Sequence, residues 1–494
     1  MVWGHDAAEY VGRPVGVVDA VAGRLLVIIN SPLRNRELVF MIFAWAVSAL
    51  ASLALSTSAT MAGPSGTYPL LPWIELVVIT LLAHVVIRTQ VPLADPLILP
   101  IVTCLSGLGL VMVERLDQEA LSAAYAAGAH HLPRSDAHLQ VIWIGLGVLL
   151  LTAVLIGSRD HLVLARYPFV TALAGLVLLI LPAFPIIGTS INGARLWLRL
   201  GPFTVQPAEF AKIVLVIFFA AYLAGHREVL SLAGRSIAGL NFPRARDAGP
   251  LLFAWAGSLA VLTVEHDLGL SALFFGVFVV LLYISTERWE WVLSAFLLAV
   301  VGLALSYLYV HNVHNRIEVW RHPMRDPLGA NYQPLQAKYG LGTGGLSGTG
   351  VGQGSPGLVP FAKTDFMVSS LGEELGLVGL MAIIMCFALL VARGFRTALA
   401  CRDDFGKLLV GGLAFVLGLQ VFFIVGGVSG LIPLTGVTLP WMSYGGSSVL
   451  SNWMLIALIL RVSNTAATQA PHSINPQQAR NTLAQADTTI VRMR

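Results

Sequence analysis

The chain has 494 residues, of which 56% are hydrophobic and 11% charged, with a formal net charge of +4. Charge this sparse cannot clothe a soluble globule of that size, so lipid is the expected solvent. Arginines stand singly between apolar runs, which excludes a nucleic-acid-binding surface, and Cys104, Cys386 and Cys401 are too scattered for a disulfide framework or a metal cluster.

Residues 1–37 read as a polar cytoplasmic extension without a cleavable signal peptide. Runs able to span a bilayer follow at 38–57, 70–88, 95–113, 139–157, 165–186, 207–226, 250–266, 268–285, 290–310, 370–392, 406–427 and 442–462. They predict an all-α integral membrane protein of about twelve transmembrane helices. With the N-terminus inside, about twenty of the 30 basic residues fall on the cytoplasmic side, so both termini are expected there. Residues 463–494 are polar and aperiodic and are expected to be a disordered cytoplasmic tail.

Outer polar segments carry the candidate chemistry. The 187–205 loop holds Arg195, Trp197 and Arg199, cations and an aromatic suited to a lipid pyrophosphate and sugar faces, or to plain interfacial anchoring. Glu209 and Lys212, three apart at the start of the sixth span, share a helix face and can pair along a cavity. Asp267 stands at the tip of a tight hairpin with Glu265 and His266. Partial desolvation there would raise its pKa toward that of a general base, although a solvated turn or helix cap is the plain alternative.

The long outer loop, 311–369, runs through Tyr332-Gln333, a glycine-rich stretch from Gly340 to Gly357, and Lys363-Thr364-Asp365. Its Gly340, Gly342 and Gly345 fit a GxGxxG spacing without the strand that a dinucleotide site requires, so close backbone approach and mobility are the better reading. His311, His314 and His322 lack acidic or cysteine partners and read as loop histidines. Glu373 and Glu374 open the tenth span; Ser443 and Ser447 lie in a Ser/Gly cluster opening the twelfth, which fits close helix packing or a polar groove.

Together these segments resemble the SEDS family (shape, elongation, division and sporulation), the RodA and FtsW polymerases of peptidoglycan. The resemblance is carried by Asn192-Gly193-Ala194-Arg195-Leu196-Trp197, Gln206-Pro207-Ala208-Glu209 with Lys212, and Asp267-Leu268-Gly269. Further matches are Thr364-Asp365-Phe366, Gly372-Glu373-Glu374-Leu375-Gly376, Ile432-Pro433-Leu434-Thr435-Gly436 and Leu439-Pro440-Trp441-Met442-Ser443-Tyr444-Gly445-Gly446-Ser447-Ser448. The chain departs from the family pattern at Leu196, Ala208, His266 and Leu270.

The resemblance implies a ten-helix core over 95–462, preceded by two additional helices within 38–94, an arrangement similar to actinobacterial RodA. It implies an inverting glycosyltransferase of the bacterial plasma membrane that joins lipid II, an undecaprenyl-pyrophosphate disaccharide pentapeptide, into β-1,4 glycan for cell elongation and shape. Asp267 would be the base. Arg195, Arg199, Lys212 and Lys363 would supply positive charge. A divalent cation, Mg2+ or Mn2+, could assist. No Ser-x-x-Lys domain is seen, so a class B penicillin-binding protein is the implied transpeptidase partner. The competing readings are a lipid II flippase and an FtsW-like division or sporulation polymerase.

Overall fold

Ten helices long and apolar enough to cross a bilayer stand among the residues described by the computed structural model. These are 31–469 apart from 59–69, 130, 132, 185–186, 192–193, 202, 232–234, 238–239, 243–248, 250–251, 254, 258 and 261–266. A shorter apolar helix covers Pro168–Ala183. The run expected at 250–266 is helical at 252–253, 255–257 and 259–260; the rest of it, with Glu265 and His266, lies outside the described residues.

Two added helices come first, α1 (Pro32–Thr57) and α2 (Leu70–Gln90). α1 starts six residues before the expected span, with proline in its first turn. Its first turns are charged, yet Arg34 and Glu37 are fully buried because they pair with each other. Glu37 also takes His84 Nδ1 of α2 at 2.6 Å, and Arg34 donates to the Ala94 carbonyl. Below them Met41, Ala44, Ser48, Ser52 and Leu55 form one stripe packed on α3 (Ile98–Ala126). The approach is close: a Cβ on Gly107 would stand 2.6 Å from Ser48 Cβ, the small-residue packing that draws helices together in lipid.

α3 is the most enclosed span, and α4 (Asp136–Gly157) follows, capped by Ser135, whose hydroxyl accepts from His138 N. α5 (Pro168–Ile180) leads to an antiparallel sheet of β1 (Gly188–Ile191), β2 (Ala194–Leu200) and β3 (Phe203–Val205). The segment expected as a loop is thus a sheet, with Trp197 opposite Thr189 and Arg199 opposite Thr204. α6 (Ala208–Ser231) then crosses through the core, and a short hairpin, β4 (Arg235–Ile237) and β5 (Leu240–Phe242), lies at its far end. α7 (Leu268–Thr286) and α8 (Trp289–Tyr309) follow, and no residue of α8 is buried. An apolar helix without buried residues is stable only in lipid.

Residues 311–366 contain α9 (His311–Arg321) and α10 (Tyr332–Gly344). α11 (Met367–Ala400), α12 (Asp404–Ser429) and α13 (Gly446–Gln469) complete the bundle. α13 runs seven residues past the expected end of its span, with Val462, Ser463 and Ala466 still buried, so the polar tail begins later than hydropathy indicated. Residues 470–494 lie outside the described residues.

Candidate active site

α11 is broken at Gly376, whose φ of 68° only glycine adopts cheaply. The break frees backbone groups, and the glycine-rich stretch takes them up. Thr349 N and Gly350 N donate to the Glu373 and Glu374 carbonyls, both at 3.0 Å, while Leu377 N and Val378 N donate to the Gly345 and Leu346 carbonyls. A Cβ on Gly348 would fall 2.2 Å from the Glu374 carbonyl oxygen. The glycines therefore serve backbone approach, and the stretch is pinned.

Glu373 and Glu374, both buried, brace the same stretch. Glu373 Oε1 accepts from Ser355 N at 2.7 Å. Glu374 accepts from Gly352 N and from Arg115 Nε, both at 3.0 Å, and Arg115 donates again to the Gly354 carbonyl at 2.8 Å. These buried carboxylates hold the glycine-rich stretch and Arg115 against α11.

Residues 363–365 are fixed from the other side. Ser443 Oγ donates to the Thr364 carbonyl at 2.6 Å, and Tyr444 N donates to the Lys363 carbonyl at 2.8 Å. The Lys363 ammonium turns away to Asp117 at 2.5 Å and Asp136 at 2.8 Å, tying α3 to α4. Asp365 instead borders a cavity of about 530 Å³, enclosed by α9, α10 and the turn after α12. Pockets of this size hold small ligands or the head of a larger one.

The cavity has cations on its walls. Arg316 of α9 is anchored by donating to the Leu434 and Thr435 carbonyls at 3.0 and 3.1 Å. Lys338 of α10 has no hydrogen-bond partner among the described residues, and Asn315 and Gln333 add neutral polar groups. Burial pushes the Asp365 carboxyl above its ordinary range, against the pull of Arg316 and a bond from Thr364.

Asp267 is the N-cap of α7: its Oδ1 accepts from Leu270 N at 3.0 Å, and Gln206 Nε2 lies 3.4 Å from Oδ2. Burial raises it to about 6, the Leu270 bond opposes this, and the charges of Glu209 and Asp365 add to it. It is half-buried but is not among the residues lining the 530 Å³ cavity.

Beneath it lies a closed polar network. Lys212 is fully buried and donates to Glu209 Oε2 at 2.5 Å and Gln420 Oε1 at 3.1 Å, while Ser451 Oγ donates to the same Glu209 oxygen. The pairing expected of Glu209 and Lys212 is present, and it joins α6, α12 and α13. Ser447 Oγ accepts from Gln206 N at 2.8 Å and joins β3 to α13.

Arg195, Trp197 and Arg199 project from one face of β2, with both arginines exposed. They do not line the cavity. Among the described residues, no group of three or more His, Cys, Asp or Glu side chains converges to hold a metal.

Sequence reasoning missed Arg316, Lys338 and Arg115. Arg316 sits in a segment read as loop, and its value comes from a fold that returns residues 434–436 to it. No local pattern signals that.

A family model described as cell cycle protein, spanning FtsW, RodA and SpoVE, matches residues 96–468. The chain belongs to that FtsW/RodA/SpoVE family. It is 43% identical over 440 residues to the peptidoglycan glycosyltransferase RodA of Mycobacterium tuberculosis, covering 88% of this chain and 91% of the relative. With the Mycobacterium leprae protein of the same name identity is 45% over 397 residues, 80% and 83% of the two chains. A probable peptidoglycan glycosyltransferase FtsW of Geobacter is 33% identical over 371 residues, 75% of this chain and 96% of the relative.

Among solved structures, the fold matches RodA of Thermus thermophilus at 26% identity, with a TM-score of 0.52 over 76% of this chain and 97% of that one. It also matches a chain from work on a peptidoglycan synthase complex that coordinates polymerization and crosslinking. There the TM-score is 0.60 at 27% identity, over 76% and 98% of the chains. The mostly helical fold of those solved relatives is shared here, on a multi-pass chain of the plasma membrane.

Proposed function

We infer that this chain is a peptidoglycan glycosyltransferase of the RodA type, which polymerises lipid II at the outer face of the membrane. Its mycobacterial relatives carry that enzyme name at 43–45% identity over most of both chains. The observation that carries the mechanism is Asp365, a carboxylate raised by burial and bordering a cavity walled by Arg316 and Lys338.

Asp365 takes the proton from the acceptor's GlcNAc 4-hydroxyl as that oxygen attacks the anomeric carbon of the donor's MurNAc. The new C–O bond forms as the bond to pyrophosphate breaks, the pyrophosphate leaves with the electron pair, and inversion of the α-linked donor gives a β-1,4 link. A base whose pKa lies nearer the working pH suits this step. Arg316 and Lys338 offset the charge on the departing pyrophosphate. Asp267, the base that sequence alone favoured, spends one oxygen on the α7 cap. We assign the proton transfer to Asp365, which borders the cavity, and give Asp267 the part of a second carboxylate.

Arg195 and Arg199 supply a separate cationic surface for an incoming lipid headgroup. A single carboxylate among two cations and two amides is a poor resident metal site. The lining therefore does not fit a resident Mg2+ or Mn2+ ion. The implied partner is a class B penicillin-binding protein, since the solved relative belongs to work on coordinated polymerization and crosslinking.

Purified protein in liposomes, given fluorescent lipid II, is expected to yield a ladder of glycan on a gel, more strongly with its transpeptidase partner. Transbilayer movement of the lipid without polymer would favour a flippase and overturn this reading.

A further inference from the structure

A second cavity, of about 390 Å³, opens on the face opposite Asp267, where α11 and α13 end and α3 begins. Its walls are of two kinds. Arg393, Arg396 and Arg402 come from the end of α11 and the turn after it; Leu33, Leu93, Ala400, Ala466 and Ala467 are apolar or small.

The charges do not cancel. The one acidic group in the lining, Asp95, is already satisfied: it accepts from Arg393 Nε at 2.7 Å and from Leu97 N at 3.0 Å. Arg396 and Arg402 are exposed and have no ion-pair partner among the described residues, and both Nη groups of Arg393 are unused there. Two positive charges therefore remain over a pocket with an apolar side, at the level where three spans leave the membrane.

We propose that this cavity binds an anionic phospholipid of that leaflet, its phosphate held by Arg396, Arg402 and the free edge of Arg393, and its chains lying along Leu33, Leu93 and Ala400. Arginine forks match phosphate oxygens bidentately, and basic pockets between span ends are where acidic lipid headgroups lodge. The chain's own following segment is a poor occupant, because residues 470–494 carry Arg480, Arg492 and Arg494 against a single acid, Asp487. Leu33, Leu93, Ala94, Asp95 and Pro96 come from α1 and the turn that joins the added helices to the core. A bound lipid would thus bridge the N-terminal addition and the ends of α11 and α13. This inference does not rest on the reading of the Asp365 site.

The test is native mass spectrometry of the full-length protein released from phosphatidylcholine nanodiscs containing a minority of phosphatidylglycerol. Wild type is expected to retain phosphatidylglycerol, and Arg396→Gln/Arg402→Gln to retain it about thirtyfold more weakly. Ala467→Phe, which fills the cavity without touching charge, is expected to lose it too. Arg36→Gln removes an exposed arginine at the start of α1 and is expected to match wild type. Equal loss in Arg36→Gln would show diffuse attraction and overturn the site, as would unchanged retention in the double variant. Displacement of the lipid by inorganic phosphate at comparable concentration would overturn the assignment to a lipid.

Discussion

Replacing Asp267 by Asn separates the two jobs its carboxylate does in the folded chain. Asparagine is as good an N-cap as aspartate, so the Oδ1 bond to Leu270 N survives. What disappears is a charge held against burial, which lifts the group from 3.8 to about 6. Unfolded, the side chain titrates near its ordinary value. Between about 4 and 6 the folded state therefore binds more protons than the unfolded one, and stability falls as pH rises through that window. Below it the group costs nothing; above it the cost is full. A tenfold change in acidity is worth about 1.4 kcal/mol, which sets a ceiling near 3 kcal/mol, and residual access to water brings the expectation to about 1–2 kcal/mol. Asp267→Asn is therefore expected to be more stable than wild type at pH 8 and equal to it near pH 4. Asp267→Ala, which loses the cap, is expected to be about 1 kcal/mol less stable than Asp267→Asn at either pH. Thermal unfolding of detergent-purified protein across that range is the assay. A stability difference between wild type and Asp267→Asn that does not vary with pH would refute the reasoning.

Lys212→Met leaves Glu209 buried without its ammonium and strips a donor from Gln420, so a loss of about 3–5 kcal/mol is expected by thermal unfolding; adding Glu209→Gln should recover much of it. Gly348→Ala forces an L side chain into φ +81° and a Cβ to 2.2 Å from the Glu374 carbonyl. Beyond about 1–2 kcal/mol of backbone cost, it should detach residues 345–350 from the α11 break, seen as faster amide exchange at Thr349 and Gly350. Lys363→Met removes the ammonium shared by Asp117 and Asp136, and the loss of that tie between α3 and α4 is expected to cost about 1–3 kcal/mol by thermal unfolding.

The spans were legible because lipid demands long charge-free runs, and the structure strays from them where charges neutralise each other. Arg34 and Glu37 hide the first turn of α1 in this way. The alternation of Arg195, Trp197 and Arg199 carried the period of a strand, and β2 is one; the absence of long apolar runs made it look like loop. α9 and α10 were hidden because they lie on the polar face of the bundle and bury few residues. At the site, family motifs led to Asp267 and Asp365, while the distinction between them needed the third dimension. One is a helix cap; the other borders a cavity whose key cation, Arg316, is held by carbonyls more than a hundred residues away in sequence.

The role of Asp365 is tested most directly by the rate at which purified protein polymerises labelled lipid II, compared for wild type, Asp365→Asn and Asp267→Asn. Loss of the base should slow Asp365→Asn by about 10²–10⁴-fold in a protein that stays folded, while Asp267→Asn stays within about tenfold of wild type. Wild-type turnover by Asp365→Asn, or silence in Asp267→Asn alone, would contradict the account.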